Sequence, residues 1–480
     1  MPVIIRTEQE LAGMRGGQEY SLASNITLTR PWKAVDADDI VIHGNGYLIR
    51  GLTEPLLGGC SRLIVDRLAL AVVIDTANLV GEPGHGAYAG GLVRVASEAR
   101  IEDCVCYGSV RGSSGYFAGL CGHLADSVMR RCVNHAAITY IYDQDRMGAA
   151  CGGLVATAAN STIESSENAA DATVNACEDL YGAERTGGIA AAVTNCTLMG
   201  NVNRAEIIGS ARTGGICGTV GVSEAGQRSL VDGNTNYGRV TGQRWFVGGI
   251  AGEAGSSRMA PEPDILFIGN VCYGSVSGAA PSGALTGEFI GGIVGFVSQS
   301  HAAFRDNAAF SEVIQGLRFV HRILGSNQSR YTSPQSPASR VVMAGCVARG
   351  DMLVSGDNLF IDGPKSLYYN RRVSDDDPQA RVDGFHGESV DAPREELSAG
   401  SFDAYPMPVT PYNTVPSYVV DNTSGKPARP ARAPRQQPAA DPAPEPAPMP
   451  EAARSWPPPP WGVPGWHQPA RAYWQTREQG

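Results

Sequence analysis

An apolar residue behind a glycine pair returns again and again along this chain. The copies are GGLV (90–93), AGLCG (118–122), GGLVA (152–156), GGIAA (187–191), GGICG (214–218), GGIAG (248–252) and GGIVG (291–295), with a worn copy RILG (322–325). Their aliphatic positions are Leu92, Leu120, Leu154, Ile189, Ile216, Ile250, Ile293 and Ile323, spaced by 28, 34, 35, 27, 34, 43 and 30 residues. A period of this size marks a repeat architecture, and its looseness leaves room for loops of varying length.

A second segment follows each glycine pair. Its copies are IEDCVCYGSV (101–110), MRRCVNHAAI (129–138), IESSENAADA (163–172), VTNCTLMGNV (193–202, slightly staggered), VDGNTNYGRV (231–240), FIGNVCYGSV (267–276), FRDNAAFSEV (304–313) and MAGCVARGDM (343–352). Aligned, one position reads Cys104, Cys132, Ser166, Cys196, Asn234, Asn270, Asn307 and Cys346. Short β-branched, aromatic and glycine-bearing runs with period two suit strands better than helices. A single unit cannot bury a face alone, but stacked units can. Winding them as a parallel β-solenoid places equivalent residues about 4.8 Å apart. The aliphatic column then becomes an interior stack, and the Cys/Asn/Ser column a second one at a turn, where asparagine can bond to the next coil's backbone.

The first segment reads differently. Thr7 and Glu10 form a capping box ahead of a short helix. EYSLASNITLT (19–29) and DDIVIHGNGYLIRGL (38–52) then alternate like strands and read as the first, atypical coils. A cap is expected there, because an open stack exposes strand edges. His43-Gly44-Asn45-Gly46 reads as a tight turn, with Asn-Gly as a hairpin signal. The expected divisions are 1–60 (cap and first coils), 61–365 (repeats), 366–424 (a closing segment) and 425–480 (tail). Fifteen of the 31 prolines and four of the six tryptophans, Trp456, Trp461, Trp466 and Trp474, fall in that tail. It reads as polyproline-like or disordered, with the tryptophans as candidate anchors for docking a partner protein.

The glycine pair followed by I-x-N-C-Y-x-x-G-x-V resembles the GLUG-type repeat, most nearly in GGIAG with NVCYGSV (270–276) and GGLV with EDCVCYGSV (102–110). The entry segment 19–52 and FHGESVDAPREELSAGSFDAY (385–405) look like the opening and closing segments of the same domains. The resemblance implies an all-β, single-stranded right-handed parallel β-helix of the pectin-lyase-like kind, here of about ten coils. It also implies bacterial surface, secreted or phage proteins of adhesin kind, hence an extracellular, cell-surface or virion location. The opening residues MPVIIRTEQELAGM show no secretory signal, which leaves an intracellular location open.

Composition narrows the chemistry. A net charge of -10 over 480 residues argues against a nucleic-acid binder, which needs a basic face. No run of eighteen apolar residues offers a membrane span. Eleven cysteines, an odd number without structural-zinc spacing, read as small buried hydrophobes. No histidine begins HExxH and no GxSxG occurs, so a zinc peptidase and a nucleophile elbow lack their residues. No cofactor or metal is expected.

The acids Glu102, Asp103, Glu164, Asp232 and Asp306 are the candidates for carboxylate chemistry on a β-helix groove. Glu102, Arg130 and Glu164 fall on successive coils, however, and read first as a ladder of alternating charge. Two functions therefore stand. One is a non-enzymatic solenoid that binds or scaffolds, its partner a host-surface glycan or protein or a neighbouring copy in an assembly. Its contacts would lie on the loops 140–150, 253–266 and 326–340. The other is a carbohydrate-active β-helix, a polysaccharide lyase or tailspike-like depolymerase.

Overall fold

The computed structural model describes residues 1–76, 88–113, 115–141, 149–178, 181–224, 226–256, 263–326, 339–344, 346–348 and 353–357. The closing segment 366–424, the tail with its four tryptophans, and most of the three candidate loops (142–148, 257–262 and 327–338) lie outside these residues. No helix among the described residues is long and apolar enough to cross a membrane.

The chain winds as a parallel β-solenoid whose strands collect into three stacked sheets, of 12, 9 and 25 strands among the described residues, beside a small antiparallel pair, Cys177–Glu178 with Tyr181–Gly182. One coil shows the plan. Val155–Ala159 lies in the nine-stranded sheet and Thr162–Glu164 in the 12-stranded sheet. Glu167–Asn168, Thr173–Asn175 and Arg185–Gly187 then cross the broad sheet before the glycine pair returns the chain to the nine-stranded one. Each coil thus carries more strands than the two per unit that the repeat suggested, because the variable stretch also pairs.

The eight aliphatic residues form a single inner file. All are fully buried, and their backbones pair rung to rung, from Leu92 N–H to Leu120 O (2.9 Å) through Ile293 N–H to Ile323 O (2.9 Å). Leu56 extends the file by one rung, since Leu57 N–H donates to Leu92 O at 2.8 Å. The 12-stranded sheet supplies a second inner file in register: Ile42, Val65, Ile101, Met129, Ile163, Leu198, Val231, Phe267 and Phe304. Burying each such side chain contributes roughly 1.5–3 kcal/mol.

The corners on either side of the 12-stranded sheet are turned by single left-handed residues. One column is Arg62, Glu98, Asp126, Asn160 and Asn195; the other is Arg67, Asp103, Arg131, Ser165, Gly200, Gly233, Gly269 and Asp306. The residue after the second corner points inward, and here the aligned column needs one correction. On its fourth rung the member is Asn201, whose amide bonds Asn234 Oδ1 at 2.9 Å. That bond continues through Asn234 to Asn270 (3.0 Å) and Asn270 to Asn307 (2.9 Å). Cys196 instead belongs to the first corner, in a column with Ser127, Ser161 and Ser229. Ser161 N–H approaches Cys196 Sγ at 3.3 Å, and Cys196 N–H donates to Ser229 Oγ at 3.2 Å. Both columns hold small inward side chains two residues after a strand, so a five-residue shift aligns them equally well.

Two residues further on lies a third interior file, Cys106, Asn134, Asn168, Asn203, Asn236 and Cys272. Its amides bond in series: Asn134 to Asn168 and Asn168 to Asn203 at 2.9 Å, then Asn203 to Asn236 at 2.7 Å. All eleven cysteines are buried free thiols. Burial pushes the Cys106 thiol up to about 12 and the Cys196 thiol to about 11, the opposite of a reactive thiolate.

The N-terminal end carries its expected cap. Thr7 Oγ1 accepts from Glu10 N–H while the Glu10 carboxylate takes the Thr7 N–H, closing the helix Glu8–Ala12 and placing Leu11 in the core. The Asn-Gly turn differs from expectation. Asn45 and Gly46 have φ of 54° and 78°, but the flanking strands Val41–His43 and Leu48–Leu52 pair with neighbouring coils in different sheets. The turn is a solenoid corner rather than a hairpin.

Candidate functional site

Two of the candidate acids, Glu102 and Glu164, sit on the outer face of the 12-stranded sheet and a third, Asp103, at its corner, each held by arginine. Ser21, His43, Asp66, Glu102, Arg130 and Glu164 form one outward column in consecutive register. Glu102 accepts from Arg100 Nε at 2.7 Å and from Arg131 at 3.4 Å, and Arg130 pairs with Glu164. The Arg100 hydrogen bond holds the Glu102 carboxyl below its ordinary range, against the upward push of partial burial; the charges of Arg100, Arg131 and Arg130 add to it. Asp103 is a left-handed corner residue, gripped by both Nε and Nη2 of Arg131 at 2.7 and 2.8 Å.

The remaining two acids stand apart from these. Asp232 is buried two rungs beyond Glu164 in the same column, and Asp306 is a corner residue 3.4 Å from Arg305. Glu102 and Glu164 are two rungs apart, about 9.6 Å at the usual strand spacing, with a cation between them. Paired-carboxylate hydrolysis needs one acid whose pKa is raised, and this column does the reverse to Glu102. Among the described residues, no group of three or more His, Cys, Asp and Glu side chains could hold a metal.

A different surface has the geometry of a site. Where the broad sheet turns into the nine-stranded sheet, two outward columns face each other across the glycine pair. The broad sheet presents Tyr88, Tyr116, Ala150, Arg185, Arg212, Phe246, Phe289 and Phe319. The nine-stranded sheet presents Val95, His123, Thr157, Ala192, Thr219, Glu253, Phe296 and Ser326. Outward side chains diverge at a convex corner, but here they meet. Tyr88 lies 5.5 Å from His123, Arg212 Nε bonds Glu253 at 2.5 Å, and Phe246 stacks on Phe296 at 4.5 Å. The corner is therefore re-entrant, a trough running along the solenoid axis.

Glycine makes this possible. A Cβ at Gly252 would stand 2.5 Å from the Arg212 and Thr213 backbone. The two strands thus approach more closely than any side chain allows.

The trough is built unevenly. Tyr88 and Tyr116 stack at 4.9 Å at one end; Phe246, Phe289, Phe296 and Phe319 pack together at the other. Between them the side chains are Ala150, Thr157, Arg185, Ala192 and Thr219. His123 Nδ1 is 2.8 Å from Thr157 Oγ1, and burial pushes the His123 imidazole below its ordinary pKa, towards the neutral form. Glu253 is tied on both sides, to Arg212 and to Ser298 Oγ at 2.7 Å. The Thr219 Oγ1 is shielded and has no hydrogen-bond partner among the described residues.

Arg212, Phe246, Phe289 and Phe319 hold φ between 45° and 63°. Bulky residues in this region are outliers that persist only where surrounding packing fixes them, and such strain gathers at binding sites.

The expected site residues and this trough thus lie on different faces. The trough positions were nonetheless indexed in the sequence. They are the third residue before and the fourth after the second glycine of each pair, as Arg185 and Ala192 are to Gly188.

No protein-family model and no curated protein matches the sequence. Among solved structures, the chain resembles a crystal structure provisionally assigned as an immunoglobulin A1 protease from Bacteroides ovatus, at 15% identity and a TM-score of 0.28. That match covers 77% of this chain and 82% of the other.

Proposed function

We propose that this chain is a non-enzymatic β-solenoid, an adhesin-like binding or scaffold protein that uses its rigid stack to present contact surfaces. In this reading it acts at a bacterial surface or on a virion, as the GLUG-type resemblance implies, with a glycan, a protein or a neighbouring copy as partner. The divisions at 60, 365 and 424 are those of its cap, repeats, closing segment and tail.

One observation carries the reading. Glu102, Asp103 and Glu164, the acids best placed for carboxylate catalysis, are each engaged by arginine across or along the rungs, and Glu102 is held ionised where a general acid must be protonated. Such a ladder stabilises stacking, by roughly 0.2–1 kcal/mol per exposed pair.

The test is incubation of the full chain with mixed polysaccharides, followed by a reducing-end assay. No release above a heat-inactivated control is expected, for the natural chain and for Glu102→Gln or Glu164→Gln alike. Release that disappears in either variant, or in Glu253→Gln, would establish the carbohydrate-active alternative.

A further inference from the structure

We propose that Cys104 and Cys132 are the site of a disulfide that staples two successive coils when the chain folds in an oxidising medium. This goes beyond the reading of the chain as a binding solenoid and does not depend on it.

The first argument is register. Glu102 pairs with Arg130 on one side of the corner and Val105 with Val133 on the other, so Cys104 stands directly over Cys132. Successive rungs lie about 4.8 Å apart, inside the Cα separation of about 4.4–6.8 Å that a disulfide spans. Both side chains are fully buried, and the two thiols hydrogen-bond one another. Elsewhere the pairing differs. Cys60, Cys106, Cys121, Cys151, Cys217 and Cys272 each pair in register with residues other than cysteine. Cys196 lies between Ser161 and Ser229.

The second argument is that oxidation strands nothing. Cys104 Sγ donates to Glu102 O and Cys132 Sγ to Arg130 O, each at 3.3 Å. When the S–H groups go, each carbonyl keeps a backbone donor at 3.0 Å: Arg67 N–H for Glu102 O, and Asp103 N–H for Arg130 O. A third contact, Cys132 Sγ to Ile101 O at 3.7 Å, is to a residue already paired in the strand ladder. The penalty for orphaning an acceptor therefore does not arise.

The third argument is topology. The bond would close one complete coil, a ring of 28 residues from one cysteine to the next. Such closure removes freedom from the unfolded chain and so favours the wound one.

The hydrogen bond with Cys132, together with burial, holds the Cys104 thiol well above its ordinary pKa. A finished coil therefore offers little thiolate to an oxidant, and the bond forms while the coils assemble. One cysteine thiolate attacks a small disulfide such as glutathione disulfide and releases one thiol from it. The second cysteine thiolate attacks the mixed disulfide and releases the other thiol. The chain gains one S–S bond and loses two S–H bonds, and the oxidant leaves as two thiols.

Cell-free synthesis of the full chain in glutathione disulfide or in dithiothreitol tests this, followed by denaturation in iodoacetamide and peptide mass spectrometry. In glutathione disulfide, two of the eleven thiols should escape alkylation, joined as Cys104–Cys132. In dithiothreitol none should. Amides of the strands Arg100–Glu102 and Val128–Arg130 should exchange at least about tenfold more slowly in the oxidised chain. Cys104→Ser and Cys132→Ser should each keep every remaining thiol free and exchange alike in both media.

The proposal is overturned if all eleven thiols are alkylated after synthesis in glutathione disulfide. It is overturned equally if either cysteine retains glutathione or pairs with Cys106 or Cys121, or if the oxidised chain exchanges as fast as the reduced one. None of these results bears on the polysaccharide assay, so the binding reading and this inference fail separately.

Discussion

Replacing Gly188 by alanine is expected to cost more than about 3 kcal/mol, or to prevent folding of the central coils altogether. A Cβ at that position would lie 2.2 Å from Gly215 O on the next coil and 2.6 Å from the Asn203 amide. Neither neighbour can yield. The Gly215 carbonyl belongs to the rung above, and the Asn203 amide is bonded in the interior file. Overpacking of a filled core costs about 1–3 kcal/mol by itself, and displacing Asn203 adds the loss of its hydrogen bonds.

The preceding glycine of the pair is equally constrained, since a Cβ at Gly187 would stand 2.0 Å from Ala190 O. This is why both glycines recur together. The first lets the chain fold back over its own strand, and the second lets the coils stack. Gly59→Ala is the contrasting substitution. Its Cβ would meet only the Asp36 carboxylate, at 3.6 Å, and a strand glycine replaced without a clash is neutral or slightly stabilising. Guanidinium unfolding of the two variants beside the natural chain measures the difference.

Asn203→Ala is expected to cost about 3–5 kcal/mol. The Asn203 side chain receives the Asn168 amide at 2.9 Å and donates to Ala205 O at 3.0 Å and Asn236 Oδ1 at 2.7 Å. Removing it strands polar atoms on three residues in a fully buried file, and each stranded group costs about 1–3 kcal/mol. Because each coil touches only its neighbours, the damage should stay local. Hydrogen exchange should accelerate in the strands from Val155 to Val222, while the cap strands Glu19–Leu22 and Val41–His43 keep their protection. Exposed Asn175→Ala should fall within about 0.5 kcal/mol of the natural chain. Equal protection loss throughout the solenoid would show that the file is not a nearest-neighbour device.

The two asparagine files also show how far the sequence could be read. The aliphatic file was legible because a leucine or isoleucine recurs behind the same punctuation mark, a glycine pair kept in six of the eight copies. The corner file was legible in part. Its members Cys104, Cys132, Asn234, Asn270 and Asn307 follow a left-handed residue at constant distance, but Cys196 mimics them from the opposite corner of the same strand. Asn201 was the true member, hidden five residues further on.

The inner asparagines at 134, 168, 203 and 236 stood two positions past the aligned one and went unread, although C-V-N, S-E-N, N-V-N and N-T-N repeat them plainly. The trough was the least legible feature. Its walls face outward, where packing imposes no common residue type, so Tyr116, Arg185 and Phe246 share a position without sharing chemistry. The acids Glu102 and Glu164 attracted attention because they carry charge. Arg130 was legible as their partner from the aligned columns, whereas Arg100 on the same strand and Arg131 on the next coil emerge from the structure.

Register is also what a single distance can test. Arg130 and Arg305 occupy the same outward column of the 12-stranded sheet, five rungs apart through Glu164, Met199, Asp232 and Ile268. Both are exposed enough to carry a label, and the eleven native thiols are buried from reagent. Nitroxides on Arg130→Cys and Arg305→Cys, read by double electron–electron resonance against a mock-labelled natural chain, should give one narrow peak near 24 Å, five rungs of about 4.8 Å. A broad distribution, or a mean displaced by two rungs or more, would contradict the stacked register on which the inner files and the trough both depend.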